Sequence, residues 1–390
     1  MILDLDNLDM VRDLVGDARV VALGEGAHNI TEFYELKDRL LRTLVRELGF
    51  SGFVMESGFA EGLTVNEWIH EGPGEVEAVA RTGITYGFGE CEAMRRQLRW
   101  MRRWNSESPA KVNFYGMDLP GSSTSPGPAV RACLDRMPGR PGDEEILRLS
   151  DLGGRTEAAV RYQAMPATDR ARLIEGLRAL VERAALHDDE VVRRCAASLH
   201  AFVAELDAPA AGPYPREVFM AETVSWVLER ERRIVVSAHN AHVRRTPFLG
   251  RPMMGGLLAS SLGAGLVVIG MTYGSGPEVR FTQRSPRPFD CDVSLEARTL
   301  PPPNCIESRL DRLGPPVAAV DLRRAPSEFF DGVDGTLANG GLDPVDDFPA
   351  AYDAVIHVRG ATRVPGAFER LRAELGAADA SQSLEEPESL

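Results

Sequence analysis

Four short segments of the chain set acids and imidazoles at spacings that could do acid–base chemistry. Gly24-Glu25-Gly26-Ala27-His28 places a carboxylate three residues before an imidazole. Glu56-Ser57-Gly58-Phe59 supplies a second acid, Asp118 a third, and Ala238-His239-Asn240-Ala241-His242 two more histidines. A neutral imidazole can take a proton from water near neutral pH, and an adjacent carboxylate fixes its tautomer and stabilises its cation. Glu25 and His28 are close enough in sequence to act in this way. A second histidine and a buried cation could then hydrogen-bond the oxyanion of a tetrahedral intermediate. Ser57 precedes a glycine but lacks the other residues of a nucleophile elbow, which favours an activated water over a serine.

Metal binding is the rival reading, since two histidines and two glutamates could hold zinc or a metal pair. Against it, His239-x-x-His242 has no accompanying HExxH pattern, and a cation at position 37 would repel a nearby metal ion. Neither a metal nor another cofactor is expected. Lys37 and Lys111 are the only lysines among 44 basic residues. Lys37 follows Phe33 by four residues and precedes Leu40 by three, so it shares their inward helix face. A lysine there needs a carboxylate partner such as Glu25 or Glu56, unless it snorkels to the surface.

The elements that must position these residues follow from the hydrophobic pattern. A strand is expected at Val20–Leu23, then a helix over 30–48 stopped by Gly49, and a buried strand over 52–55. Helical patterns follow over 60–70 and 91–104, then a strand over 112–115. Residues 119–128 are rich in Pro, Gly and Ser and read as a boundary. Residues 129–231 show helical patterns only, which predicts an all-helical insertion. Strands return at 233–237, 266–270, 317–322 and 354–358, with a helix at Met254–Leu262. The expected organisation is an α/β core of residues 1–128 and 232–375, a helical insertion at 129–231 and a disordered tail at 376–390. Alternating strands and helices imply a mainly parallel β-sheet flanked by helices, with ligands beyond the carboxyl ends of the strands. Each of the four chemical segments follows one of the predicted strands. Convergence of several ionisable groups on one sheet edge favours a functional site over isolated structural residues.

The remaining candidates carry structural readings. His70 ends a helix, His187 and His200 lie in the insertion, and His357 falls in an apolar strand. Trp100, Trp104 and Trp226 sit on amphipathic helices, and Tyr273-Gly-Ser-Gly276 lacks the Lys-Ser/Thr of a phosphate loop. The 390 residues, 44% hydrophobic, suffice for one large domain with a smaller subdomain. A net charge of −14 argues against nucleic acid and anionic membranes as partners. The most apolar stretch, 264–271, is too short to span a bilayer, and no basic segment precedes an apolar run at the N-terminus. A cytoplasmic protein is expected. Five widely spaced cysteines without metal-type spacing read as reduced structural thiols.

In this order, the segments resemble the erythromycin esterase family. The matching pieces are Leu23-Gly-Glu-Gly-Ala-His28, Glu32-Phe33, Glu56, Gly116-Met-Asp118, Met220-Ala-Glu222, Ala238-His-Asn-Ala-His242 and Ala351-Tyr-Asp-Ala-Val-Ile-His357. The resemblance implies hydrolysis of a macrolactone ester by a histidine base without metal, with His28 as that base, Glu25 and Glu56 as the acids, His239 and His242 as the later pair, and Arg216 as an upstream arginine. Two positions depart from the family pattern: Lys37 stands where an arginine is usual, and Thr223 follows Met-Ala-Glu in place of asparagine. Lysine keeps the charge but loses arginine's bidentate fork.

The expectation is therefore ester or lactone hydrolysis of a small molecule by His28-activated water. Glu25, Glu56, Lys37 and His239 complete the catalytic set, and His242, Asp118 and Arg216 bind substrate. Lys37, His239 and His242 would polarise or hold the substrate carbonyl, and the insertion would form one wall of the cleft. Two alternatives stand beside it: a biosynthetic tailoring enzyme (acyl transfer, elimination or cyclisation) on a polyketide-type ester, and a family member that binds its ligand without turnover.

Overall fold

The computed structural model describes residues 2–207, 211–284, 291–338 and 340–383, with only the backbone from 377 onward. Its strands are β1 (Ile2–Leu3), β2 (Val20–Leu23), β3 (Gly52–Gly58), β4 (Asn113–Asp118), β5 (Ile234–Ser237), β6 (Leu266–Gln283), β7 (Cys291–Arg298), β8 (Val317–Asp321), β9 (Gly335–Ala338), β10 (Gly341–Pro344) and β11 (Ala354–Gly360). The main sheet runs β1-β8-β11-β6-β2-β5-β3-β4. Strands β11, β6, β2, β5, β3 and β4 are mutually parallel, and β8 pairs antiparallel with both β11 and β1. The mainly parallel α/β architecture expected from the alternation is present.

Both faces of this sheet are covered, because successive residues of its strands point to opposite sides and both sets are apolar. Val21, Leu23, Phe53 and Val235 pack with Phe33, Leu41 and Leu44 of the Thr31–Leu48 helix. Val20, Ala22, Val54 and Ile234 pack on the other side with Met220 and Val224 of the Pro215–Leu228 helix and Leu258 of the Met254–Leu262 helix. The Thr31–Leu48 helix ends where Gly49 adopts φ 68° and returns its N–H to the Leu44 carbonyl.

Residues 127–228 contain only helices among the described residues, in keeping with the pattern read there. The last of them, Pro215–Leu228, is nevertheless a layer of the core, because its apolar face lies on the sheet. Three features were not legible. The strand expected over 266–270 continues to Gln283 and returns as β7, forming an antiparallel ribbon beyond the sheet's carboxyl edge. Gly276 (φ +140°) is needed in this strand, since a Cβ would lie 2.6 Å from the Ala361 carbonyl. The small β9–β10 hairpin was likewise missed. The tail expected to be disordered from 376 continues the Ala367–Ser383 helix, its alanines favouring that state; 384–390 lie outside the described residues. No helix among the described residues is long and apolar enough to cross a membrane.

Gly24 shows how tightly the strand ends are joined. A Cβ at Gly24 would lie 2.1 Å from Asn240 Oδ1 and 2.9 Å from a Val243 methyl. Asn240 cannot swing away freely, because its amide donates to the Met271 carbonyl at 3.0 Å and accepts from the Met271 N–H at 3.3 Å. Gly24→Ala should therefore cost about 1–3 kcal/mol of stability by overpacking, read as a lower denaturation midpoint at unchanged slope. Wild-type stability would show that the loop after β2 yields.

Candidate active site

The carboxyl ends of β2, β3, β4 and β5 carry the ionisable residues to one edge. Glu25 and His28 leave β2, Glu56 lies within β3 where its pairing with β4 slips register between Met55 and Gly58, Asp118 ends β4, and His239 follows β5. A bulge of this kind re-aims a side chain. Above this edge opens a cleft of about 1290 Å³, roofed partly by the β6–β7 ribbon and the β9–β10 hairpin. It exceeds the roughly 300–1,000 Å³ of ordinary small-molecule sites. His28, Glu56, Arg216, His239 and His242 line it, together with Arg155 and Glu205 of the helical region.

The first charge chain starts beneath the cleft. Lys37 Nζ donates to Glu25 Oε2 at 2.6 Å, and Glu25 Oε1 lies 2.7 Å from His28 Nδ1. Lys37 is only 4% exposed, so it does not snorkel. It reaches Glu25 from behind and does not line the cleft. The expectation that it would hold the substrate carbonyl is thus not met by its position; it neutralises the carboxylate that contacts His28. Burial pushes the Glu25 carboxyl up, but Lys37 and then His28 overcome this and hold it at about 2. With Nδ1 of His28 engaged, Nε2 is the nitrogen available to a water in the cleft.

The second chain centres on Glu56. Its Oε2 accepts the His239 backbone N–H at 2.8 Å, and its Oε1 faces Arg216 Nη2 at 3.1 Å and His242 Nε2 at 3.2 Å. Against the upward push of burial, His242, His28 and Arg216 hold Glu56 well below the usual carboxylate range. Arg216 grips Asp118 with both arms, at 2.8 and 2.6 Å. Asp118 is fully buried and takes the Tyr86 hydroxyl as well, so it positions Arg216 and does not itself line the cleft.

The two later histidines differ in charge. His242 Nδ1 lies 2.7 Å from Glu217 Oε1, a close charge contact. Burial disfavours the cation, but Glu56 and Glu217 outweigh it and raise His242 to about 10. Burial, with the positive potential of His28, lowers His239 to about 3. Its Nδ1 accepts the Ala241 N–H at 3.2 Å, which assigns the ring proton to Nε2. That Nε2–H is buried without a partner among the described residues, and the ring lies 5.1 Å from the ring of His28. A buried donor left unpaired is rare and invites a ligand acceptor.

Glu217 and Tyr86 were missed in the sequence. Glu217 follows Arg216 directly, and its only signal was adjacency; Tyr86 sits in a loop at φ 58° with no periodicity to mark it. The structural readings of the other histidines hold. His357 is fully buried between Thr272 and Asp311, His70 follows the last turn of its helix, and His200 is exposed. Thr223 accepts two N–H bonds from Arg194 and returns its hydroxyl to the Phe219 carbonyl, a packing role away from the cleft. Among the described residues no group of three or more His, Cys, Asp or Glu is arranged to hold a metal ion.

The model of the family described as erythromycin esterase matches residues 45–361. The chain belongs to the erythromycin esterase family. A relative from Escherichia coli, erythromycin esterase type II, is 29% identical over 309 residues, 70% of this chain and 73% of its own. Erythromycin esterase type I from the same organism matches over 120 residues at 29% identity, 31% of this chain and 29% of its own. Solved structures show the same fold. A succinoglycan biosynthesis protein superimposes with a TM-score of 0.73 at 18% identity over 93% of this chain and 92% of its own. A histidine-to-asparagine mutant of the erythromycin esterase EreC, in its open conformation, gives 0.71 at 20% identity over 93% and 95%. The family places the protein among esterase-type hydrolases acting on small molecules.

Two predictions follow from the charge chains. Lys37→Met strands a buried carboxylate, and should destabilise by about 3–5 kcal/mol at neutral pH. Because Glu25 is depressed, its pairing stabilises above pH 4.5 and is lost as pH falls toward about 2. The gap between wild type and variant in denaturation experiments should accordingly narrow over that window; a constant gap would show that Lys37 acts through packing alone. For His242, raised to about 10, nuclear magnetic resonance at pH 8 should find both ring nitrogens protonated, with Glu217→Gln shifting the titration down. A neutral ring at pH 8 in the wild type would contradict the paired-cation arrangement.

Proposed function

We propose that the protein hydrolyses a carboxylic ester or macrolactone by direct attack of a water activated by His28. The observation that carries this reading is the Lys37–Glu25–His28 chain, in which a cation-held carboxylate fixes the imidazole by Nδ1. Such an arrangement leaves Nε2 to take the proton of a water, while Glu25 stabilises the imidazolium that forms. Attack gives a tetrahedral oxyanion, and the unpartnered Nε2–H of His239 supplies a donor for it next to the base. His239 can serve as a neutral donor because burial keeps it uncharged at working pH. The protonated His28 then returns its proton to the leaving alkoxide, which completes the cycle.

Glu56, Arg216 and His242 line the cleft beside this centre, and Asp118 lies behind them. The cations neutralise Glu56, and Glu56 holds the His239 backbone in place. Ser57 is fully buried, and its hydroxyl accepts from the Thr85 N–H at 2.9 Å, which supports water over serine as nucleophile. A reaction without metal is supported by the donor set, since the carboxylates nearest the base are spent on Lys37, Arg216 and His242. Activity should accordingly survive dialysis against a strong chelator; activity lost and restored by zinc or manganese would overturn that part of the reading.

The direct test of the base is His28→Asn, assayed on a panel of linear esters and macrolactones. Turnover should fall on the order of 10² to 10⁴, with ligand affinity largely retained and the product heavier than substrate by one water. Turnover near wild type would move the base elsewhere. A product without the added water would favour a tailoring reaction, and binding without turnover by the wild type would favour a ligand-binding protein.

A further inference from the structure

Most of the charged residues lining the cleft are paired with an opposite charge. Glu56 faces Arg216, Glu90 pairs with Arg370 at 3.0 Å, Glu278 with Arg298 at 3.2 Å, Glu374 with Arg155 at 2.9 Å and Asp343 with Arg244 at 2.9 Å. Arg363 also lines the cleft, and among the described residues its guanidinium makes no ion pair and no hydrogen bond, with Nε buried and unpartnered. It is held there by backbone contacts at the base of the site. Arg363 bridges Ile30, and the next N–H, of Val364, donates to the Asn29 carbonyl at 2.9 Å. The arginine therefore sits beside the residues that directly follow His28.

We propose that Arg363 is an anion-binding subsite adjoining the His28 centre, and that the substrate carries a carboxylate or phosphate group seated on it. Partial burial of a guanidinium that no carboxylate contacts is costly, and its planar donors match carboxylate and phosphate oxygens in pairs. Tyr273, Glu369, Tyr34 and Arg370 surround it; burial draws it below the usual arginine range, and none of the three oxygen-bearing neighbours is placed as a partner. The remainder of the substrate is apolar and long. Leu249, Phe281 and Leu342 border the same cleft while 77%, 51% and 40% exposed, a combination that needs an apolar ligand to cover it. The substrate class is thus an anionic amphiphile whose charged group lies close to the bond cleaved.

This assignment rests on the cleft being the substrate site, so the test reads binding and leaves turnover aside. Octanoate, octyl phosphate and octanol share an apolar chain, and none is an ester of a carboxylic acid. Calorimetric titration of the full chain should show one or both anions binding roughly ten- to hundredfold tighter than octanol. Whichever anion binds tighter identifies carboxylate or phosphate as the group recognised. The preference should shrink with added salt, vanish in Arg363→Met and persist in part in Arg363→Lys, all three proteins being checked for unchanged melting behaviour. If Arg363→Met does not fold, loss of bidentate recognition in Arg363→Lys alone carries the test. Equal affinity for the three probes, no binding of any, or a preference that survives Arg363→Met would overturn the proposal. A preference that holds while esters are not hydrolysed would leave the subsite standing and remove only the esterase reading.

Discussion

Two carboxylates buried at one sheet edge, Glu25 and Glu56, constrain everything around them. Burial favours the protonated form of each, yet both are held ionised by neighbouring cations: Lys37 behind the first, Arg216 and His242 beside the second. The cations differ in what they must do. Lys37 arrives from a helix interior and touches Glu25 alone, which a compact ammonium does well. Arg216 must hold Asp118 with two arms and still reach Glu56, which requires the guanidinium fork. Lysine therefore stands at the position where a single bond to Glu25 suffices.

From this pairing follows the contrast among the three histidines. His28 is half-buried on the cleft with one nitrogen fixed by Glu25, His239 is buried and neutral, and His242 is buried and cationic. Their ring types are identical, and their environments assign them separate tasks. Proximity of an imidazole fixed by a carboxylate, a neutral one and a cationic one at adjacent strand ends is what the parallel sheet supplies. The glycines of the first loop allow that proximity, as the contact between Gly24 and Asn240 shows.

Much of this was legible because it is local. Strands β2 and β5 are short apolar runs flanked by chemistry, and their bounds were read within a residue. Glu25 and His28 lie three apart, so their contact could be argued from spacing. The inward face of Lys37 followed from helix periodicity, although its direction of approach, away from the cleft, did not. What escaped was set by distant packing. Asp118 looked like a substrate ligand until Arg216, 98 residues away, was found to occupy it. Glu217 and Arg363 carry no pattern of their own, and the β6–β7 ribbon alternates too weakly in hydropathy to be read as strand. The β6–β7 ribbon and Arg363 line the cleft above the edge of acids and imidazoles.

The central claim is that water attacks the ester directly, with no acyl group ever resting on the protein. Intact-protein mass spectrometry of a single turnover in heavy-oxygen-labelled water, quenched at intervals, tests it most directly. The arrangement of His28 on Glu25 predicts an unmodified, unlabelled protein at every interval and one labelled oxygen in the acid product. An acyl adduct on the protein, or label appearing in one of its carboxylates, would contradict it.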